Sequence, residues 1–249
     1  FAIDVSTSMN AEDVKPSRLE KAKFEISQMI QQLKGDRVAL IVFAGSSHMY
    51  LPLTTDYEAA RLFLDQIDTN MIPTQGTALS MALETGLSAF IDDDSKYKVL
   101  VIVTDGEDHE GKAIDLAEKA AKRGMIIHTV GVGTNSGSLI PLLNKKGIRD
   151  YKRDNKGKLI TSVLNEGILL DIADAGNGEY VRFDNNPASF RSITQAIDNM
   201  EKRTLKSQVF SEYEDQYQLF ALISFGLMFF GMIIPTTTKI KKIWKNRFE

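Results

Sequence analysis

Val99–Val103 reads VLVIV and runs directly into Thr104-Asp105-Gly106. Such a continuous apolar run suits a strand buried on both faces of a sheet. Val38–Phe43 (VALIVF) and Met125–Val130 (MIIHTV) repeat the pattern, and the chain opens on Phe1-Ala2-Ile3-Asp4-Val5, which also reads as a strand. Helical spacing fills the intervals. Ser17 and Glu20 form a capping box after Pro16. Behind it Leu19, Ala22, Ile26, Met29, Ile30 and Leu33 share one face of a helix expected to stop at Gly35. Further helices are predicted near Asp56–Asp68, Ala78–Ile91, Gly111–Arg123, Asn165–Ala175 and Pro187–Leu205. Strands alternating with helices predict an α/β fold: a doubly wound, mainly parallel sheet with helices on both faces. Ser47–Leu51 is expected as an antiparallel edge strand. Tyr151–Thr161, with the turn Asp154-Asn155-Lys156-Gly157, is expected as a surface hairpin.

Composition narrows the functional classes. The 249 residues are 43% hydrophobic and 25% charged, which excludes a disordered or collagen-like chain. No Cys is present, so disulfides, thiolate metal sites and Cys nucleophiles are excluded together. The net charge of -3 argues against nucleic acid as a partner. That total hides an asymmetry. Lys239, Lys241, Lys242, Lys245 and Arg247 crowd the last eleven residues, while residues 1–238 carry 25 basic and 32 acidic side chains.

Residues 216–238 hold no charge, and Leu219–Ile234 reads LFALISFGLMFFGMII. As a helix, 23 residues rise about 34 Å, against a bilayer core of about 30 Å. Tyr213 and Tyr217 flank one end and Lys residues the other. These features predict a transmembrane helix over 217–238, after a juxtamembrane linker at 206–216, with the basic tail 239–249 in the cytoplasm. The preceding domain, 1–205, is then expected outside the cytoplasm. With neither an initiating Met nor an export signal, the chain reads as a fragment whose first strand is truncated.

In open α/β sheets, ligands bind beyond the carboxyl ends of the strands. Three loops there carry short oxygen donors: Asp4-Val5-Ser6-Thr7-Ser8, Gln75-Gly76-Thr77 and Thr104-Asp105-Gly106. Two carboxylates with three of these loops' hydroxyls, without His or Cys, suit Mg²⁺ or Mn²⁺ rather than Zn²⁺. Glu107, Asp108, His109 and Glu110 follow Asp105 and are candidate partner contacts around the site. His48 and His128 read as packing residues. Gly131-Val132-Gly133-Thr134-Asn135-Ser136-Gly137 follows a strand, but its third Gly is one residue late for a dinucleotide loop.

These residues resemble the von Willebrand factor A domain and its metal-ion-dependent adhesion site. That pattern is Asp-x-Ser-x-Ser, a later Thr, and an Asp after a core strand. The resemblance covers about residues 1–200 and implies Asp4, Ser6, Ser8, Thr77 and Asp105 as ligands of Mg²⁺ or Mn²⁺. Asp4–Arg18 (DVSTSMNAEDVKPSR), Asp36–Gly45 (DRVALIVFAG), Thr104–Gly111 (TDGEDHEG) and Ala175–Val181 (AGNGEYV) are similar to the Bat (Bacteroides aerotolerance) proteins, the BatB branch most of all. That likeness implies a bacterial inner-membrane protein with its A domain in the periplasm. It also implies association with other Bat proteins and with a MoxR-type AAA+ ATPase.

The expected function is a membrane-anchored, metal-dependent protein-binding module, not an enzyme, that captures a partner's Asp or Glu. A metal-dependent hydrolase and a metal-independent scaffold are the alternatives. Hydrolysis needs a base within reach. Haloacid-dehalogenase phosphohydrolases place a second Asp two residues after the first, where this chain has Ser6.

Overall fold

A computed structural model describes residues 1–90, 97–107, 111–143, 149–183, 193, 195 and 217–233. The described strands are β1 (Ala2–Asp4), β2 (Val38–Phe43), β3 (Ser47–Thr54), β4 (Lys98–Thr104), β5 (Met125–Val132), β6 (Ser138–Leu139), β7 (Pro141–Leu143), β8 (Arg149–Tyr151), β9 (Thr161–Ser162) and β10 (Tyr180–Phe183). The helices are α1 (Arg18–Gln32), α2 (Tyr57–Asp65), α3 (Leu79–Ala89), α4 (Ala113–Lys122), α5 (Glu166–Ala175) and α6 (Tyr217–Ile233), with a 3-10 helix at Thr7–Asn10. Two compact units result, Phe1–Glu201 and Lys202–Glu249.

The main sheet of the first unit has the order β10-β5-β4-β1-β2-β3. Every pairing in it is parallel except β2 with β3. Side chains alternate between two cores because successive strand residues face opposite ways. Ile3 is joined on one face by Leu40, Val42, Val101, Val103, Val130 and Val132, packed with α1 residues Leu19, Ala22, Ile26 and Ile30. Ala2, Ile41, Phe43, Leu100, Ile102 and Ile127 face the other way, onto Leu79 and Leu83 of α3, Ala117 of α4 and Ile172 of α5. Each fully buried Val, Leu or Ile contributes about 1.5–3 kcal/mol, so two such layers hold the sheet between its helices.

The expected doubly wound architecture is present, with several adjusted bounds. The edge strand runs to Thr54, three residues beyond the predicted Leu51. Helix α1 ends at Gln32 because Leu33 is already extended, and the chain turns at Gly35, whose φ is +90°. Ser17 does cap that helix, accepting from the Glu20 amide. The expected hairpin near Tyr151–Thr161 is closed by a bridge between Arg153 and Leu159. The small pairs β6–β9 and β7–β8 were not predicted. The helix expected at Pro187–Leu205 falls almost wholly outside the described residues, where only Ile193 and Gln195 are seen, both helical. The linker 206–216 and the tail 239–249 also lie outside them.

The chain runs outward from β1 through β2 to β3, then returns to the other side of β1 as β4. The gap between β1 and β4 is therefore the topological switch point, where doubly wound sheets bind ligands. Ile3 is in register with Val103, which brings Asp4 and Thr104 side by side at the carboxyl ends.

In the second unit, α6 is 17 residues long and uncharged, with Gln218 and Ser224 among mostly apolar residues. Its Leu222, Phe225, Leu227, Met228, Phe229 and Phe230 are all exposed. Among the described residues, no helix is long and apolar enough to cross a membrane.

Candidate metal centre

Asp4 ends β1 fully buried. Its Oδ1 accepts from the Ser6 amide at 2.8 Å, and its Oδ2 accepts from the Thr104 hydroxyl at 2.6 Å. The 3-10 helix that follows brings Ser6 and Ser8 together, with their Oγ atoms 2.8 Å apart and both residues buried. Met9, wholly buried, fastens this turn to the core.

Asp105 follows β4 and is also fully buried. Its Oδ2 accepts from Arg18 Nη1 at 2.8 Å and from Ser162 Oγ at 3.0 Å. Thr77 is buried in the loop before α3. Gln75 Oε1 of that loop accepts from the Thr7 amide at 2.9 Å, which ties it to the first loop. Gly45 supports the same loop from below, since a Cβ there would lie 2.8 Å from the Gln75 carbonyl oxygen. Direct hydrogen bonds thus link Asp4 with Ser6, and Ser6 with Ser8; Asp105 is the like-charged neighbour of Asp4; Thr77 lies in the adjoining loop. Glu107 is partly buried next to Asp105, while Asp108, His109 and Glu110 lie outside the described residues.

Burial pushes the Asp4 carboxyl up to about 7, and the nearby Asp105 charge adds to the rise. The hydrogen bonds from Thr104 and Ser6 oppose it without cancelling it. Among the described residues, no Lys or Arg pairs with Asp4, and no group of three or more His, Cys, Asp or Glu side chains could hold a metal. The site instead offers two repelling carboxylates and clustered hydroxyls. A hard divalent cation fits that donor set, because it neutralises the pair and accepts oxygen ligands of this kind.

Further residues complete the surroundings. Arg18 is fully buried and grips Asp13 with two parallel bonds, Nε to Oδ1 at 2.9 Å and Nη2 to Oδ2 at 2.8 Å, while Nη1 holds Asp105 and Ser162. Burial opposes the Arg18 charge, but Asp13 and Asp105 outweigh it and raise its pKa. Burial would raise the Asp13 pKa, yet Arg18 and Thr134 hold it below the ordinary value. The sequence reading missed Arg18, Asp13 and Ser162 and gave Thr104 no role. One signal was available: Arg18 opens α1, where the helix dipole disfavours a cation, so a buried acidic partner was indicated.

The glycine run after β5 serves this network. Gly133 has φ +138°, and a Cβ on it would lie 2.8 Å from Arg18 Nε. His128 is buried in β5 as expected, its Nδ1 accepting from the Glu179 amide at 3.0 Å, and burial lowers its pKa. His48 lies on the edge strand, 3.2 Å from Ser46 Oγ.

Comparison with known proteins agrees with this architecture. The von Willebrand factor type A domain family matches residues 1–107. BatB from Bacteroides thetaiotaomicron is 42% identical, with a TM-score of 0.77 over 81% of this chain and 97% of that one. An aerotolerance-related membrane protein from Bacteroides fragilis is 40% identical, with a TM-score of 0.75 over 80% of this chain and 96% of that one. An uncharacterized protein of Borreliella burgdorferi is 26% identical over 234 residues, 92% of this chain. The chain spans 65% of that relative's length and 62% of a UPF0353 protein from Nocardia farcinica. Proximal thread matrix protein 1 of the mussel byssus, solved with a zinc-occupied MIDAS motif, shares the fold alone at 17% identity and a TM-score of 0.55. The extent and identity of the Bacteroides matches establish that the chain belongs to the Bat family of von Willebrand factor type A domain proteins.

Proposed function

We propose that this domain is a metal-dependent protein-binding module, with Asp4, Ser6, Ser8, Thr77 and Asp105 holding Mg²⁺ or Mn²⁺. The observation that carries the reading is the Asp4–Asp105 pair, two buried carboxylates beside a hydroxyl pair, in which the Asp105 charge adds to the cost of charging Asp4. A bound divalent cation would supply an electrophilic position for a partner's Asp or Glu. The chain's own residues position the donors: Thr104 and the Ser6 amide fix Asp4, and Arg18 with Ser162 fixes Asp105. Hydrolysis is the weaker reading, because Ser6 stands where a phosphohydrolase of the haloacid-dehalogenase type has its second Asp.

The exposed apolar surface of α6 and the uncharged stretch 216–238 support a membrane anchor for the domain 1–205. The basic tail supports a cytoplasmic C-terminus and a periplasmic domain, by the positive-inside rule. Family membership supports the inner membrane, with other Bat proteins and a MoxR-type AAA+ ATPase as partners. Calorimetric titration with Mg²⁺ and Mn²⁺ tests the centre. Asp4→Ala and Asp105→Ala should each abolish binding while leaving the circular dichroism spectrum unchanged. Stoichiometric binding to the double variant would refute the assignment.

A further inference from the structure

The excursion between β5 and α5 differs in charge from the rest of the chain. Residues 149–162 carry five basic and two acidic side chains, whereas the remainder of residues 1–238 carries 20 basic and 30 acidic. This basic strip is built against the metal loop. Lys152 is held by its backbone, its amide donating to the Ile140 carbonyl and its carbonyl accepting from the Ile160 amide, both at 2.9 Å. Its Nζ then donates to Thr7 Oγ1 at 2.6 Å. Thr7 stands between Ser6 and Ser8, so an ammonium group sits at the edge of the candidate centre. Beyond it the turn is closed by Asp154 Oδ1, which accepts from the Lys156 and Lys158 amides, and the Lys156 and Lys158 side chains are exposed.

We propose that this hairpin is the second half of the partner-binding surface, and that the partner segment is an acidic peptide. The inference rests on the metal reading above. One carboxylate of the peptide addresses the metal centre, and neighbouring carboxylates meet Lys152, Lys156 and Lys158. An ammonium has three donors, and among the described residues Lys152 spends one, on Thr7, which leaves two for a ligand. Charge complementarity favours a short acidic peptide over a membrane surface or a nucleic acid. An extended polyanion would face the acidic remainder of the domain, whereas a short peptide reaches only the strip and the metal centre beside it. The reading also refines the expected partner: acidic residues flank the metal-directed carboxylate on its hairpin side.

The test uses the 249-residue chain in neutral detergent. Mg²⁺ binding is followed by calorimetry, and a fluorescent oligo-glutamate peptide by anisotropy, with and without Mg²⁺. The Lys156→Glu/Lys158→Glu variant should keep the Mg²⁺ affinity of the parent chain. Its peptide affinity should fall about tenfold, with a shallower salt dependence. Lys152→Met should lower peptide affinity likewise, and chelation should weaken the parent complex. Unchanged peptide affinity in these variants, alongside normal Mg²⁺ binding, overturns this inference and leaves the metal reading standing. Absence of peptide binding to the parent chain overturns it too, as does displacement of the peptide by phosphatidylglycerol in mixed micelles. If no Mg²⁺ binds, the metal reading fails and the joint surface fails with it, even where the strip still captures the peptide.

Discussion

Arg18 Nη1 donates to Asp105 Oδ2 at 2.8 Å, joining the first turn of α1 to the end of β4 across 87 positions of sequence. Both side chains are fully buried, so the bond works in a medium of low polarity. It uses one Asp105 oxygen and leaves the charge of Asp4 uncompensated.

Removing the guanidinium should therefore be costly. Arg18→Met strands Asp13 and Asp105 without a cation, and a broken buried pair costs about 3–5 kcal/mol. Arg18→Lys keeps the charge but loses the fork, so an intermediate loss is expected. Urea unfolding of the three proteins checks the order. Equal stability of the Arg18→Met variant and the parent would show that the network contributes nothing.

Gly133→Ala should act on the same network from behind. The new Cβ lies 2.8 Å from Arg18 Nε, at a φ of +138°. The strain alone is about 1–3 kcal/mol. Stability and Mg²⁺ affinity should drop together, because Arg18 shifts and Asp105 with it. Loss of stability with unaltered Mg²⁺ affinity would separate Gly133 from the site.

The pH dependence follows from Asp4. Its pKa is 3.8 as a free side chain and about 7 in the fold. Between those values the folded state holds a proton that the unfolded state has released, so metal-free stability falls as pH rises. Above the folded value the full penalty of two buried charges is present. Mg²⁺ held as proposed would compete with that proton, and its affinity should climb as pH passes through about 7. Asp4→Asn removes the group, so the difference in urea midpoint between parent and variant should move in the variant's favour from about pH 5 to about pH 8. A constant difference across that range would contradict the assignment.

Orientation is tested by protease access in spheroplasts. A tag placed after Glu249 should be protected, while residues 1–201 should be digested from outside. The opposite pattern would place the basic tail beyond the membrane.

What the sequence made legible depended on the length of each signal. β2, β4 and β5 are continuous apolar runs of a kind that fits few alternatives, and the ends of β1 and β4 pointed to Asp4 and Asp105. Short elements gave no such signal. β6 and β9 have two residues each, and β7 contains a proline, so neither periodicity nor propensity distinguishes them from loops. Ser162 and Asp13 become site neighbours only through contacts made 57 and 5 positions away, from Asp105 and Arg18 respectively. The glycine run at 131–137 showed its composition without its use, since the need for space at Gly133 arises only once Arg18 is buried beside it.

The borders of the main sheet bear on how closely copies of the domain can be packed. β3 lies at one border, contains Pro52, which has no amide hydrogen to offer, and meets β2 through two irregular steps near Leu40. β10 lies at the other border and is only four residues long. A long regular border would invite strand-by-strand joining with a neighbouring copy. Interrupted and abbreviated as they are, these borders deny that template, so domains crowded side by side resist fusing into a continuous sheet.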